Sequence, residues 1–384
     1  MYQNVNTRET EMIYSPTHGP PPPYDSIDSL GKTAPNGSTW NPKNWSKVTI
    51  LCVIAAVVVV IAGIIVGAVI GTRENSYPDY SALAYTLEDT YSGTGFFDNF
   101  DYFTGYDPTS GFVHYVDSEV ADSQQYNLTY ASSSSAILRV DTTDTDASTG
   151  RYSVRITSKK QYNSGLFVFD IVNTPYGCST WNALWLSDPN NWPTNGEIDI
   201  VEAVNQATSG NQATLHTASD CKMNVKRKQT GTVLSKNCYN GTDNNAGCGV
   251  QGAPSTYGQA LNTAGGGIYA MEWRPEGIRI WFFPRASIPS DIPTDVSNTT
   301  APDPSTWPTP LADFPNTNCD ISSHFRNQSI IANIDLCGTW AGATSVYSDE
   351  DHCPGLCSDF VAGNNTAFET AVWQWNSWRV YTAA

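Results

Sequence analysis

Asn195-Gly196-Glu197-Ile198-Asp199-Ile200-Val201-Glu202 sets three carboxylates within six residues, spaced only by β-branched side chains. Ile and Val favour a strand and need burial on its far side. Side chains alternate faces along a strand, so Glu197 and Asp199 point the same way. Regular alternation sends Glu202 to the opposite face. One extra residue, a β-bulge at Ile200-Val201, returns it to the face of the other two. Three like charges in a row are costly. A sugar flanked by two carboxyls, one a nucleophile and one a proton donor, is a chemistry that needs such a row. An exposed edge strand with solvated acids is the alternative that spacing alone leaves open.

The surrounding chain has 384 residues and a formal net charge of −17, with a pI of about 4.5. That balance argues against a nucleic-acid partner. Only 15% of residues are charged, while Gly, Pro, Asn, Ser, Thr and aromatics are plentiful. Such a composition suits short strands joined by many turns. Eight of the nine cysteines (Cys178, Cys221, Cys238, Cys248, Cys319, Cys337, Cys353 and Cys357) follow an apolar run that holds Cys52. They suit an oxidising compartment and up to four disulfides, with pairings that sequence does not reveal. Cys353-Pro-Gly-Leu-Cys357 also has zinc-ligand spacing, but no second pair accompanies it, so no metal site is expected.

Residues 1–47 are polar and proline-bearing, and such a segment does not bury enough apolar surface to order itself. Within it, Pro21-Pro22-Pro23-Tyr24 resembles the PPxY ligand of WW domains, which makes a WW-domain partner at Pro21, Pro22 and Tyr24 an expectation. Val48 to Thr72 carries no charge. As a helix that run spans about 37 Å, against a hydrocarbon core of about 30 Å. Lys32, Lys43 and Lys47 precede it, and Arg73 is the only base after it until Arg139. The positive-inside rule then predicts a single-span signal anchor with a cytosolic N-terminus and everything after a 73–79 linker lumenal or extracellular. Sequons at Asn127, Asn240, Asn298, Asn327 and Asn364 fall on that outer side, those at Asn36 and Asn44 on the cytosolic side.

From Tyr80 to Ala384 the pattern predicts one all-β domain. Arg151 to Thr157 and Gly165 to Ile171 alternate, Tyr269 to Phe283 reads as a hairpin turning at Pro275-Glu276-Gly277, and Ser329 to Ile334 and Trp373 to Tyr381 read as further strands. Two antiparallel sheets packed face to face are the natural solution. Pro284 to Pro315, rich in Pro, Ser, Thr and Asp, is expected to be a loop.

With these segments in view, the chain resembles family 16 glycoside hydrolases. Asn195 to Glu202 is similar to the bulged form of that family's catalytic signature, and the likeness extends to Phe96 through Val116, Asn182 to Leu186, Cys319 to Phe325, Cys337-Gly-Thr-Trp-Ala-Gly342 and the closing Trp373 to Tyr381. The nearest branch resembles fungal laminarinase-like endo-1,3(4)-β-glucanases. The resemblance implies a β-jelly-roll sandwich with a concave glucan cleft and no cofactor. It implies Glu197 as nucleophile, Glu202 as acid/base and Asp199 between them. Asp199 is expected to raise the proton affinity of its neighbours, so Glu202 should stay protonated to higher pH than a free Glu. Trp185 and Trp192 match substrate-stacking positions, and Trp340, Asn205 and His216 match cleft positions. Trp181 suits a sugar platform or a packed core equally. Two alternatives share this site: a transglycosylase that assembles or remodels cell-wall glucan, and a non-catalytic glucan-binding protein.

Overall fold

The computed structural model describes residues 42–75, 77 and 79–384. The Pro21-Pro22-Pro23-Tyr24 motif and the tail up to residue 41 lie outside them. The chain divides into two compact units, Met1–Ile65 and Val66–Ala384. A helix, Lys47–Asn75, starts one residue before the uncharged run and outlasts it by three. Ser46 caps it, its hydroxyl accepting from the Thr49 N–H at 3.1 Å. The stretch Lys47–Thr72 is long and apolar enough to cross a membrane, and none of it is buried. Uniformly apolar sides give such a helix no polar face to turn to water, as a lipid-facing span requires.

The expected two-sheet antiparallel sandwich is present. One sheet runs Thr232–Val233, Val250–Gln251, Gln212–His216, Glu197–Val204, Thr180–Ser187, Gln328–Leu336, Arg155–Tyr162 and Phe100–Tyr102. The other runs Ala312–Pro315, Gly277–Pro284, Gly267–Arg274, Gly165–Asn173, Val372–Ala383, Ala136–Arg139 and Thr129–Ala131, with Tyr85–Tyr91 also paired to Val372–Ala383. The Pro275-Glu276 turn closes the predicted hairpin, with Arg274 opposite Gly277. Alternation aims Leu184, Leu186, Ile198, Ile330, Ala332 and Ile334 inward from the first sheet. They meet Phe167, Phe169, Met271, Trp273, Trp375 and Trp378 of the second, all in one buried cluster. Each large side chain buried this way contributes about 1.5–3 kcal/mol, so the core outweighs the cost of leaving the other face to polar groups.

Pro284 to Pro315 is not wholly a loop. Ala312–Pro315 forms an edge strand on Gly277–Ile280, because Ala312 and Phe314 alternate into the core. The remainder folds over the outer face of that sheet, where Ile292 and Trp307 cover Trp281 and Phe283 in a second buried cluster.

Four disulfides join Cys178–Cys353, Cys221–Cys319, Cys238–Cys248 and Cys337–Cys357. Cys353 and Cys357 therefore belong to different bridges, which removes the zinc reading. Cys52, on the apolar helix, is the free cysteine. Among the sequon asparagines, Asn127, Asn298, Asn327 and Asn364 are exposed and Asn240 is half-buried.

Candidate active site

The strand Glu197–Val204 lies between Gln212–His216 and Thr180–Ser187. Gly196 enters it at φ +75°, with the His324 carbonyl and Phe325 ring occupying the space a side chain would need, so only glycine fits before Glu197. Against Thr180–Ser187 the register passes from Asp199↔Trp185 to Val201↔Leu184, making Ile200 the extra residue. Against Gln212–His216 it passes from Asp199↔Thr214 to Glu202↔Gln212. The bulge expected at Ile200-Val201 is thus present, and Ile198, Ile200 and Val201 are all buried. Small residues, Ser187 and Ala183, pair with Glu197 and Glu202, which leaves room above the carboxylates.

Trp181 Nε1 donates to Glu202 Oε1 at 2.8 Å, and the Trp192 indole near Glu197 favours that carboxylate's anion. Asp199 is buried, and its Oδ2 has no well-aligned donor. The nearest cation is His216 Nε2 at 3.4 Å, an ion pair looser than a close hydrogen bond. The other imidazole nitrogen, Nδ1, lies 3.0 Å from Asn245 Oδ1.

Burial is the largest influence on all three acids and pushes each above the usual carboxylate range. The next influence differs. For Glu197 it is His216, which favours the anion. For Glu202 it is the Asp199 charge, which disfavours it. Asp199 is raised further by Glu197 and pulled back by His216. Burial alone would lower the His216 imidazole, but contact with Asp199 and the charges of Glu197 and Glu202 outweigh it and hold His216 up to about 10. Environments that push neighbouring carboxyls apart are how one site provides both an anion and an acid. Glu197, Asp199 and His216 could also offer one ligand atom each to a metal ion, these atoms lying within 4.8 Å of one another. A tightly held proton on His216 competes with such an ion.

The remaining expected residues divide. Trp192 is 42% exposed, open to a stacking ring. Trp185 is half-buried, donates to Asn333 Oδ1 at 2.8 Å and has the Arg155 guanidinium 4.9 Å above its ring. Trp181 is half-buried, donates to Glu202 and meets Trp340 edge to face at 5.6 Å. A cavity of about 260 Å³ runs from Glu202 past Gln212 and Gln251 to Trp340, Glu350 and Asp351. Asn205 does not line the cleft. It sits fully buried at φ +50°, its amide accepting from Ser179 N and donating to Ala341 O, which makes it a joint between loops. His216 is at the site, but its contact is Asp199 rather than Glu202.

Sequence reasoning missed three groups on the same face: Asn333, Arg155 and Asp335. Asn333 pairs with Ala183 across the sheet and with Arg155 beyond it. Asp335 is buried, raised to about 8 by burial and by Asp107, and accepts from Thr109 Oγ1 at 2.8 Å. Residues 333 and 335 alternate with the apolar Ala332, Ile334 and Leu336 at the end of their strand, and that alternation was the available signal.

Residues 100–381 match the family model described as an XgeA-like, catalytic GH16 domain. The chain belongs to glycoside hydrolase family 16. Among family 16 relatives, a probable glycosidase of Schizosaccharomyces pombe is 46% identical over 310 residues, covering 79% of this chain and 71% of its own length. An endo-1,3(4)-β-glucanase of Arthroderma benhamiae is 39% identical over 312 residues, covering 79% of this chain and 66% of its own. A probable endo-1,3(4)-β-glucanase of Aspergillus niger is 40% identical, and the match spans only 40% of that longer protein. Two solved family 16 structures are similar in fold and sequence. Laminarinase 16A of Phanerochaete chrysosporium, solved with 6-O-glucosyl-laminaritriose in donor and acceptor sites, superposes with a TM-score of 0.73 at 45% identity over 78% of this chain and 99% of its own. An elongating β-1,3-glucosyltransferase gives 0.71 at 41% identity over 78% and 100%.

Proposed function

We propose that this chain is a retaining endo-β-glucanase acting on β-1,3- or mixed β-1,3/1,4-glucan. The observation that carries the reading is the bulged strand, which sets Glu197, Asp199 and Glu202 on one face with the Trp181 indole N–H on Glu202. Glu197, favoured as the anion by His216 and the Trp192 indole, attacks the anomeric carbon. Glu202, kept protonated by burial and by the Asp199 charge, delivers its proton to the departing oxygen. Its carboxylate then activates the water that releases the glycosyl-enzyme, and anomeric configuration is retained. Asp199, raised to about 7 by burial and by Glu197 and pulled back by His216, is the group whose charge raises the proton affinity of Glu202. Trp192 supplies an exposed flat face for a sugar ring. The endo-1,3(4)-β-glucanase relatives and the laminarinase structure support this substrate class.

The test is product analysis on laminarin, mixed-linkage glucan and β-1,6-glucan, with the anomer followed by NMR. New β-anomeric reducing ends from the first two substrates are expected. Inversion, or cleavage of the β-1,6-glucan alone, overturns the reading. Transfer to another glucan is the second reading, favoured by the elongating glucosyltransferase at 41% identity. Tagged oligosaccharide acceptors that grow longer would establish it. The apolar helix Lys47–Thr72 is further proposed as a signal anchor that leaves the catalytic domain lumenal or extracellular. Protease accessibility of the domain in sealed vesicles tests that orientation.

A further inference from the structure

A bulge that brings Glu202 to the open face also breaks the ladder beside it. Two residues, Ile200 and Val201, stand against the single Ala213 of the neighbouring strand. The extra residue leaves backbone groups that no partner strand can reach. Buried peptide groups left unpaired are rare because they forfeit their water without return. In this fold the gap is filled by one side chain. Asn211 Oδ1 accepts from the Glu202 N–H at 2.9 Å, and Asn211 Nδ2 donates to the Ile200 carbonyl at 2.9 Å. A primary amide has one donor edge and one acceptor edge, so it stands in for the missing peptide of the ladder.

Asn211 is itself held from several sides. Its N–H donates to Thr256 Oγ1 at 2.9 Å. Its carbonyl accepts from Gly252 N at 2.7 Å and from Gln251 Nε2 at 2.9 Å. It is fully buried. Gly210 precedes it at φ +94°, with the Ala253 backbone where a side chain would go. Gly210 and Gln251 border the cavity beside Glu202, while Asn211 itself lies behind its wall. The whole assembly therefore acts on the direction in which the Glu202 side chain leaves the backbone.

We propose that Asn211 is a positioning residue for proton transfer: its amide locks the Ile200-Val201 bulge and so aims Glu202 at the leaving oxygen. This rests on the reading of Glu202 as proton donor. A misaimed acid harms substrates whose leaving group needs a proton and spares those whose leaving group does not. The experiment uses the full chain in detergent and compares laminarin with 2,4-dinitrophenyl β-laminaribioside in the presence of azide. Asn211→Ala is expected to lose about 100-fold in kcat on laminarin, with KM little changed. On the activated glycoside it stays within a few-fold of wild type and yields the β-glycosyl azide. Equal losses on both substrates, or an unchanged laminarin rate, overturn the proposal.

Should Asn211→Ala fail to fold, Asn211→Asp decides. Its protonated carboxyl keeps one donor and one acceptor, and its anion loses the donor to Ile200 O. The ratio of laminarin to aryl-glycoside rates should fall as pH rises, relative to wild type. A ratio that tracks wild type at every pH overturns the proposal. Glu202→Gln, run alongside, must show the same dependence on leaving group. If it does not, the reading of Glu202 fails, independently of Asn211.

Discussion

On the outer face of the sheet that holds Gly165–Asn173, two buried acids, Glu272 and Asp170, each have an arginine, and a third, Asp313, accepts from the Tyr80 hydroxyl and the Lys228 N–H. Glu272 pairs with Arg279 and lies 3.8 Å from Arg274, and Asp170 lies 2.5 Å from Arg285. On the open face of the opposite sheet, a half-buried Glu197 and the buried Asp199 and Glu202 stand side by side with one imidazole among them. Both regions hide charge, and only the second leaves it unneutralised. The first arrangement makes each acid part of a fixed ion pair that ties strands together. The second makes proton affinity the property under control, at a cost the apolar core beneath it carries.

The contrast can be broken from either side. The largest effect is expected at Glu197→Gln, which should lower laminarin cleavage by at least about 10⁴-fold, read as reducing ends, while the melting temperature stays close to wild type. Arg279→Ala should do the opposite. Leaving the buried Glu272 with Arg274 at 3.8 Å and the Tyr85 hydroxyl should cost about 1–3 kcal/mol in denaturant unfolding and leave kcat on the surviving folded protein unchanged.

A smaller effect concerns stability and pH. Glu202 binds its proton more tightly folded than unfolded. Its contribution is fully present below the ordinary glutamate pKa and is lost as pH rises through the raised value. Glu202→Gln should therefore match wild type in melting temperature near about pH 4 and exceed it near about pH 8. A gap that widens toward acid would contradict the sign. The smallest effect is at Trp181→Phe. Losing the N–H on Glu202 removes a stabiliser of the anion, so the basic limb of kcat/KM should move up by about one pH unit. An arginine-like neutralisation of the site would leave that limb where it was.

The sandwich, its hairpin and the bulged strand were legible because each is written in local alternation. Glu197 to Glu202 shows a break in period 2 within six residues, and no other strand is needed to see it. Asn333 and Arg155 were invisible for the complementary reason. They reach the site only because Gln328–Leu336 lies next to Thr180–Ser187 and Arg155–Tyr162 lies next to that, and sheet order is not local. Asn205 looked like a cleft residue because it closely follows the acids, yet the turn after the strand carries it away to Ser179 and Ala341. Asn211, in a loop of Gly, Asn and Gln, has no pattern at all. Its role exists only where two backbone groups happen to lack partners. Ala312–Pro315 was lost in a proline-rich run because four residues carry too short a period to stand out.

The extra residue at Ile200 has a consequence for how this sheet could change over time. Deleting that one codon would restore an unbroken ladder with Ala213 and turn Glu202 toward the apolar layer, where a carboxyl is unwelcome. Substituting Glu202 with an apolar residue afterwards would repair the packing. The product would be a sheet with its tryptophans still facing outward and no acid to donate a proton. Two mutational steps thus separate a sheet that cuts a polysaccharide from one that can only hold it, and the first of them is a change of length rather than of chemistry.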